Sequence, residues 1–178
     1  MNSQSGRISQ LRTPLGNDIL TLLDFSGVEY VNDLNQFRVR AHSFDPVQID
    51  DLLGKQMQVD VDLGGVSRHF HQIVYSARYA GHEQDGHVYE FELRPWFAML
   101  ERRINSRTFH KKTVIEIFEM FYGEYSGLPG AGYLELTGES YPQMEYTVQF
   151  NESDLSFMRR LLEEFGINFH VKMDDGSH

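Results

Sequence analysis

Two histidines and one carboxylate form the strongest candidate in the sequence for a chemical site. His69 and His71 are two residues apart in a strand-like segment, so both imidazoles face the same side of that strand. A tight hairpin turn ahead of them places Asp60 opposite His69. Two imidazoles and a carboxylate on one surface could bind zinc or iron and support a hydrolase. The competing interpretation is the polar, solvent-facing side of a ribbon. Because no fourth ligand is visible, we expect no metal, no cofactor and no catalytic residue.

Paired acids offer little for catalysis, because neighbouring residues on a helix or loop point apart. Glycosidase chemistry, for example, needs two carboxyl groups about 5 to 9.5 Å apart across a cleft. The pairs are Asp50-Asp51, Glu163-Glu164 and Asp174-Asp175. Glu152-Ser153-Asp154 stands just before a helical pattern, and we interpret it as a cap that complements the helix dipole.

Positive charge is concentrated in one stretch of the chain, which contains Arg102-Arg103, Arg107 and Lys111-Lys112. This stretch could bind an anionic partner or an acidic region of another subunit. An ordinary solvated surface is the alternative, and the sequence leaves both open.

Composition excludes several classes of protein. The chain has 178 residues with 16 Lys and Arg against 26 Asp and Glu, a net charge of −10, which argues against nucleic acid as a partner. Cysteine is absent, so disulfides, thiolate zinc sites and cysteine nucleophiles are excluded. No apolar run approaches the roughly 20 residues that cross a bilayer. Residues 1–11 lack an apolar stretch of signal-peptide length, so we expect any export to use no conventional leader.

The first half of the chain has the alternation of β-strands. Residues 56–63 and 66–79 flank Gly64-Gly65, which predicts an antiparallel hairpin with a two-residue turn. The apolar parity of the second strand slips by one residue after Phe70, which predicts a β-bulge near Gln72. The expected cross-strand pairs are Leu63 with Val66, Val61 with Arg68, Asp60 with His69, Val59 with Phe70 and Gln58 with His71.

Three further segments are strand-like. Residues 19–25 and 34–44 follow a turn at Pro14-Leu15-Gly16-Asn17, and residues 88–94 end at Pro95, which has no amide proton for a ladder.

The second half changes to a helical period. Residues 96–103 fit one or two helical turns, and Thr113 with Glu116 forms a capping box for a helix that we expect to stop at Gly123. A second helix is predicted over residues 153–165, ending at Gly166. Alternation at residues 146–150 and 167–171 predicts a strand on each side of this helix, with one apolar face buried.

Specific strings, taken in order, carry a resemblance. Together they resemble the valine-glycine repeat protein G (VgrG) family of type VI secretion spikes, over nearly the whole chain. The strings are Thr13-Pro14-Leu15-Gly16, Phe25-Ser26-Gly27-Val28-Glu29, Leu53-Gly54-Lys55, Arg68-His69-Phe70-His71, Leu93-Arg94-Pro95-Trp96, Ser106-Arg107-Thr108-Phe109, Lys112-Thr113-Val114, Gln149-Phe150-Asn151-Glu152-Ser153-Asp154 and Arg160-Leu161-Leu162-Glu163-Glu164-Phe165-Gly166-Ile167.

The resemblance implies an α+β, phage tail hub-like fold. Residues 1–95 would form antiparallel, β-barrel-like strands of a hub domain, and residues 96–178 an inserted α+β domain with two or three helices. We expect both to be incomplete, as the front part of a longer protein.

The implied role is structural and not enzymatic. Such a hub would form a homotrimer, sit on the secretion tube protein and carry tip or effector proteins. It would stay in the bacterial cytoplasm before firing and then leave through the type VI apparatus without a signal peptide. The hub of a contractile phage tail baseplate is the alternative, and a metal-dependent hydrolase using His69, His71 and Asp60 is the third hypothesis.

Overall fold

Alternating apolar residues build a six-stranded antiparallel sheet from the first half of the chain. The structure, a computed structural model, describes residues 4, 6–16, 18–83 and 85–173. The strands stand in the order β1-β4-β5-β6-β3-β2. Their bounds are β1 Ser9–Arg12, β2 Thr21–Val28, β3 Gln36–Ser43, β4 Gln56–Asp62, β5 Ser67–Glu83 and β6 Gly86–Arg94. The sheet curls, so its two edge strands approach each other, and Arg7 Nη1 donates to Leu22 O at 3.3 Å.

The predicted β4–β5 hairpin is confirmed with its register. Asp60 pairs with His69 and Gln58 with His71, as expected. Both turn glycines have positive φ, 83° at Gly64 and 105° at Gly65, which only glycine adopts without strain. The turn at Pro14 is also present, since Gly16 N donates to Thr13 O at 3.2 Å.

A bulge was predicted in β5 near Gln72, and this position is wrong. Gln72 pairs regularly with Met57 on β4. The extra residues are Tyr75 and Ala80, and they disturb the other side of β5, where it pairs with β6. The apolar parity slips after Phe70 because both faces of β5 are buried there, with Ile73 in one hydrophobic cluster and Val74 in another.

A two-stranded ribbon and two helices make up the second half. The ribbon joins β7 Ile104–Lys112 to β8 Met144–Ser153, and the helices are α1 Val114–Tyr125 and α2 Asp154–Glu164. Two 3-10 helices, Ile49–Asp51 and Trp96–Arg102, complete the elements of the described chain. The fold is therefore α+β with antiparallel strands first, as the sequence predicted.

Two local sequence signals mark the start of α1 and the end of α2. The Thr113 capping box is confirmed, with Thr113 N donating to Glu116 Oε2 at 2.8 Å and Glu116 N donating to Thr113 Oγ1 at 3.1 Å. Gly123, however, lies inside α1, which continues to Tyr125. Gly166 follows α2 with a φ of 65°, so the second predicted stop is confirmed.

Two strand predictions in this half need correction. Residues 167–171 form no strand and make one bridge, Val31 with His170. The apolar face predicted as buried on β8 points outward, because Tyr146 and Phe150 are exposed while Gln149 is buried. Strands β1 and β7 were not predicted, and Asp174-Asp175 lies outside the described residues.

Hydrophobic side chains form two clusters. One fills the curled sheet and includes Val59, Val74 and Phe91. The other lies around Phe157 and contains residues of α1, α2 and the 3-10 helix Trp96–Arg102, together with Ile73 from β5. Residues 73 and 74 therefore point into different clusters from one strand. No helix in the described part of the chain has the length and apolarity to span a membrane.

Candidate functional site

Asp60 and His69, two of the three candidate metal ligands, lie in contact, but they are bonded to each other and to neighbouring side chains. His69 Nδ1 is 2.6 Å from Asp60 Oδ1, and Gln58 Nε2 donates to the same oxygen at 2.6 Å. The other carboxylate oxygen, Oδ2, is 2.6 Å from Arg12 Nε on the neighbouring strand β1. The carboxylate of Asp60, on β4, thus links side chains of the three adjacent strands β1, β4 and β5.

His71 lies opposite Gln58 on the neighbouring strand, and both residues are buried. The residue His71 is 3% exposed and Gln58 is 5% exposed, so the interpretation of a solvent-facing ribbon is wrong for these residues. Within residues 4–173, as far as they are described, no three His, Asp or Glu side chains are placed to bind one metal ion.

A second polar cluster, centred on Asp154, was interpreted from the sequence only as a helix cap. Its side chain is 0% exposed. Oδ1 accepts from Asn105 Nδ2 at 2.9 Å, Gln149 Nε2 at 2.8 Å and Arg107 Nη2 at 2.9 Å. Oδ2 accepts from Arg103 Nε at 2.6 Å and Tyr125 OH at 3.2 Å. One carboxylate therefore joins β7, β8, α1 and α2.

The electrostatics of this cluster follow from its hydrogen bonds. Burial alone would raise the pKa of Asp154, but the donors from Asn105, Gln149 and the two arginines outweigh it and lower the pKa to about 2. Burial first, and then the charge of Asp154, raise the pKa of Tyr125 to about 12. Asp154 is therefore a fixed anion and Tyr125 a fixed proton donor, which suits cohesion better than proton transfer at neutral pH.

Most basic side chains in residues 102–112 contact acidic or aromatic side chains of this same protein. Arg103 and Arg107 both also bond Glu124, the latter at 2.7 Å between Nη1 and Oε1. Lys112 lies 3.6 Å from Glu116, and Arg102 stacks 4.1 Å from the ring centre of Tyr75. Residues 103, 105 and 107 are polar with period two, and this signal could have predicted a strand with a polar inner face.

Two apolar surfaces remain open to solvent. A cavity of about 880 Å³ lies between loop 130–137 and residues 166–172, with Trp96, Phe118 and Leu162 in its walls. The outer face of the ribbon carries Ile104, Tyr146 and Phe150, and Phe150 is 77% exposed. Such surfaces suit packing against other polypeptide better than chemistry on a polar substrate.

Comparison of the sequence with known protein families identifies the family of this chain. The sequence profile of the phage tail baseplate hub (GPD) family matches residues 28–178. The chain belongs to that family. The match of the hub-family profile runs through strands β3 to β6 of the curled sheet and through the helical half, so it is not limited to a local motif.

Two relatives of this hub-family chain are type VI secretion system spike proteins of Pseudomonas aeruginosa. VgrG1a is 32% identical over 178 residues, which is 98% of this chain and 27% of VgrG1a. VgrG1c is 30% identical over 178 residues, 99% of this chain and 24% of VgrG1c. The resemblance to VgrG spikes is confirmed, and the chain spans about a quarter of the length of these relatives.

A solved structure shows the same fold. The Escherichia coli c3393 protein, described as a component of the type VI secretion system with structural similarity to the T4 bacteriophage tail proteins gp27 and gp5, superposes with a TM-score of 0.81. The sequences are 25% identical, and the match covers 93% of this chain and 46% of c3393.

Proposed function

We propose that this chain is the N-terminal hub region of a type VI secretion spike, with a structural and not a catalytic role. The observation that carries the proposal is the match to VgrG1a, which runs through 98% of the chain. The fold shared with c3393 over 93% of this chain also supports it.

The bonding of two carboxylates, Asp154 and Asp60, supports a role without catalysis. Asp154 and Asp60 bond to side chains of this protein, and each joins three or more elements. We propose that neither cluster binds a metal or cofactor. Elemental analysis of protein purified without a chelating tag tests this, since a stoichiometric transition metal would revive the hydrolase hypothesis at His69, His71 and Asp60.

We propose a domain boundary at Pro95, with residues 1–95 as the barrel-like hub domain and residues 96–178 as the inserted α+β domain. The two hydrophobic clusters support this division, since one is formed by the curled sheet and the other mainly by residues after 95.

In the full-length protein we propose a homotrimer that sits on the secretion tube protein and carries tip or effector proteins. It would stay in the bacterial cytoplasm until firing and then leave through the type VI apparatus. A closed ring of three would also cover apolar surface such as the ribbon face of Ile104, Tyr146 and Phe150.

The hub of a contractile phage tail is the second candidate, since the family is named for that structure. Deletion of the full-length gene and its return on a plasmid distinguish the two. For the spike, deletion abolishes release of the tube protein into the medium, and the plasmid restores it. For the phage hub, release is unchanged and phage particles lose their tails. Light scattering of the full-length protein should give three times the subunit mass, and a monomer would contradict the hub.

A further inference from the structure

The curled sheet has a seam where β1 and β2, its two edge strands, face each other. Followed around the sheet, the two strands run antiparallel, and residues 13–20 connect them. Edge strands present unpaired N–H and C=O groups, which cost free energy if buried and invite wrong pairing if exposed. Leu11 on β1 and Leu20 and Leu22 on the β2 side are buried at this seam.

One side-chain amide bridges the seam. The Gln4 side chain is buried, with 4% of the residue exposed. Its Oε1 accepts from Leu11 N at 2.9 Å and from Leu22 N at 3.2 Å. Its Nε2 donates to Leu11 O and to Leu20 O, both at 3.2 Å.

These four bonds use everything that a primary amide offers, two acceptor positions and two N–H donors. They also fix the orientation of the amide, because a flipped group would set NH₂ against two backbone N–H groups. The backbone of Gln4 is anchored as well, since Gln4 N donates to Asp18 Oδ1 at 2.9 Å and Arg7 N donates to Gln4 O at 3.1 Å.

We propose that Gln4 is the clamp that closes the barrel, its side-chain amide replacing one peptide unit of a strand between β1 and β2. The seam is then the line along which the barrel opens. Elsewhere the strands are joined by ladders such as the seven pairs between β4 and β5, whereas among the described residues this seam is bridged by the four bonds of the Gln4 amide and by Arg7 Nη1, which donates to Leu22 O.

Hydrogen exchange on the unmodified protein is the first test. The two side-chain amide protons of Gln4 should exchange at least tenfold more slowly than those of Gln143, which is exposed. They should also show cross-peaks to protons of Leu11 and Leu22. Equal exchange rates for Gln4 and Gln143 would overturn the proposal, and this measurement needs no variant to fold.

Gln4→Met is the second test, because methionine keeps the length and bulk of the side chain and removes all four bonds. The amides of Leu11 and Leu22 should exchange about tenfold or more faster, in line with the loss of one hydrogen bond at each. The amides of β5 and β6 should keep their rates. Gln143→Met is the matched control and should change nothing. An equal increase at every strand, or none at Leu11 and Leu22, would contradict a clamp.

Discussion

Asp154 keeps a negative charge inside the protein because five side chains donate hydrogen bonds to it. Two of the donors, Arg103 and Arg107, also bond Glu124, so two positive and two negative groups balance each other. Each arginine further lies over an aromatic ring, Arg107 at 4.3 Å from the centre of Phe121. Removing one member of such a network leaves its partners with unmatched charge, next to an Asp154 side chain that is fully buried.

The substitution Asp154→Asn tests this at the level of one group. Asparagine keeps the size of the side chain but removes the charge and one acceptor, so we expect the free energy of unfolding to fall by about 3 kcal/mol. Urea denaturation at pH 7 measures it. Glu164→Gln, at an exposed carboxylate on the same helix, is the control and should change stability by less than about 0.5 kcal/mol. A loss below about 1 kcal/mol for Asp154→Asn would show that the network contributes little.

The same carboxylate predicts how stability depends on acid. Its pKa is lowered from 3.8 to about 2 in the folded protein. The folded state therefore holds fewer protons than the unfolded state between these values, and the stabilisation is complete above about pH 4 and lost as pH falls towards 2. The contribution is about 2 kcal/mol. Urea midpoints between pH 5 and 2 should fall more steeply for the wild type than for Asp154→Asn, and parallel curves would contradict the assignment.

At the scale of elements, Gly27 explains part of the string Phe25-Ser26-Gly27 in β2. A Cβ at Gly27 would lie 2.1 Å from Phe37 Cδ1 and 2.7 Å from Gln36 O on the paired strand. Phe37 cannot move freely, because it packs against Phe25 and Phe70. We expect Gly27→Ala to cost about 2 kcal/mol, as overpacked sites do. Thermal unfolding measures it, with Ser26→Ala, at an exposed neighbour, as the control. No change at Gly27 would mean that Phe37 has space to shift.

Replacing Gly123 should have the opposite effect on stability, because this residue lies inside α1 with open space where a Cβ would stand. Gly123→Ala should stabilise the protein by about 0.5 to 1 kcal/mol, since alanine loses less backbone entropy in a helix. Gly166→Ala should destabilise it by about 1 kcal/mol, because Gly166 has a φ of 65°. Urea denaturation of both variants checks the pair, and a loss of stability at Gly123 would contradict the position of the helix end.

Local signals predicted the elements whose geometry they control. The Gly64-Gly65 turn fixes the register of β4 and β5, and the Thr113 box fixes the start of α1, so both were predictable. Strand β7 was missed because two of its inner residues, Asn105 and Arg107, face Asp154, and only Phe109 on that face enters the apolar core. For the same reason Gln149 is buried on β8 and Phe150 is exposed. A pattern based on hydrophobicity inverts wherever a strand packs on a buried ion network, and only the tertiary contacts reveal it.

At the scale of the molecule, β5 belongs to both halves. Ile73 is fully buried in the helical cluster, and Val74, the next residue, is buried in the curled sheet. Opposite faces of one strand cannot loosen independently, because fraying β5 removes packing from both clusters at once. Asn32 adds a second tie, since its N–H donates to Phe169 O at 2.8 Å and its Oδ1 accepts from Phe169 N at 2.8 Å.

This arrangement predicts that the two halves unfold together. Met57→Ala, a change in the curled sheet, should lower stability by about 3 kcal/mol. The loss should appear equally in far-ultraviolet circular dichroism and in the fluorescence of Trp96, the only tryptophan, which lies in the helical cluster. Met120→Ala, at an exposed methionine of α1, is the control and should move neither signal. If the Trp96 transition stays in place while the circular dichroism transition shifts, the clusters unfold separately, and β5 does not couple them.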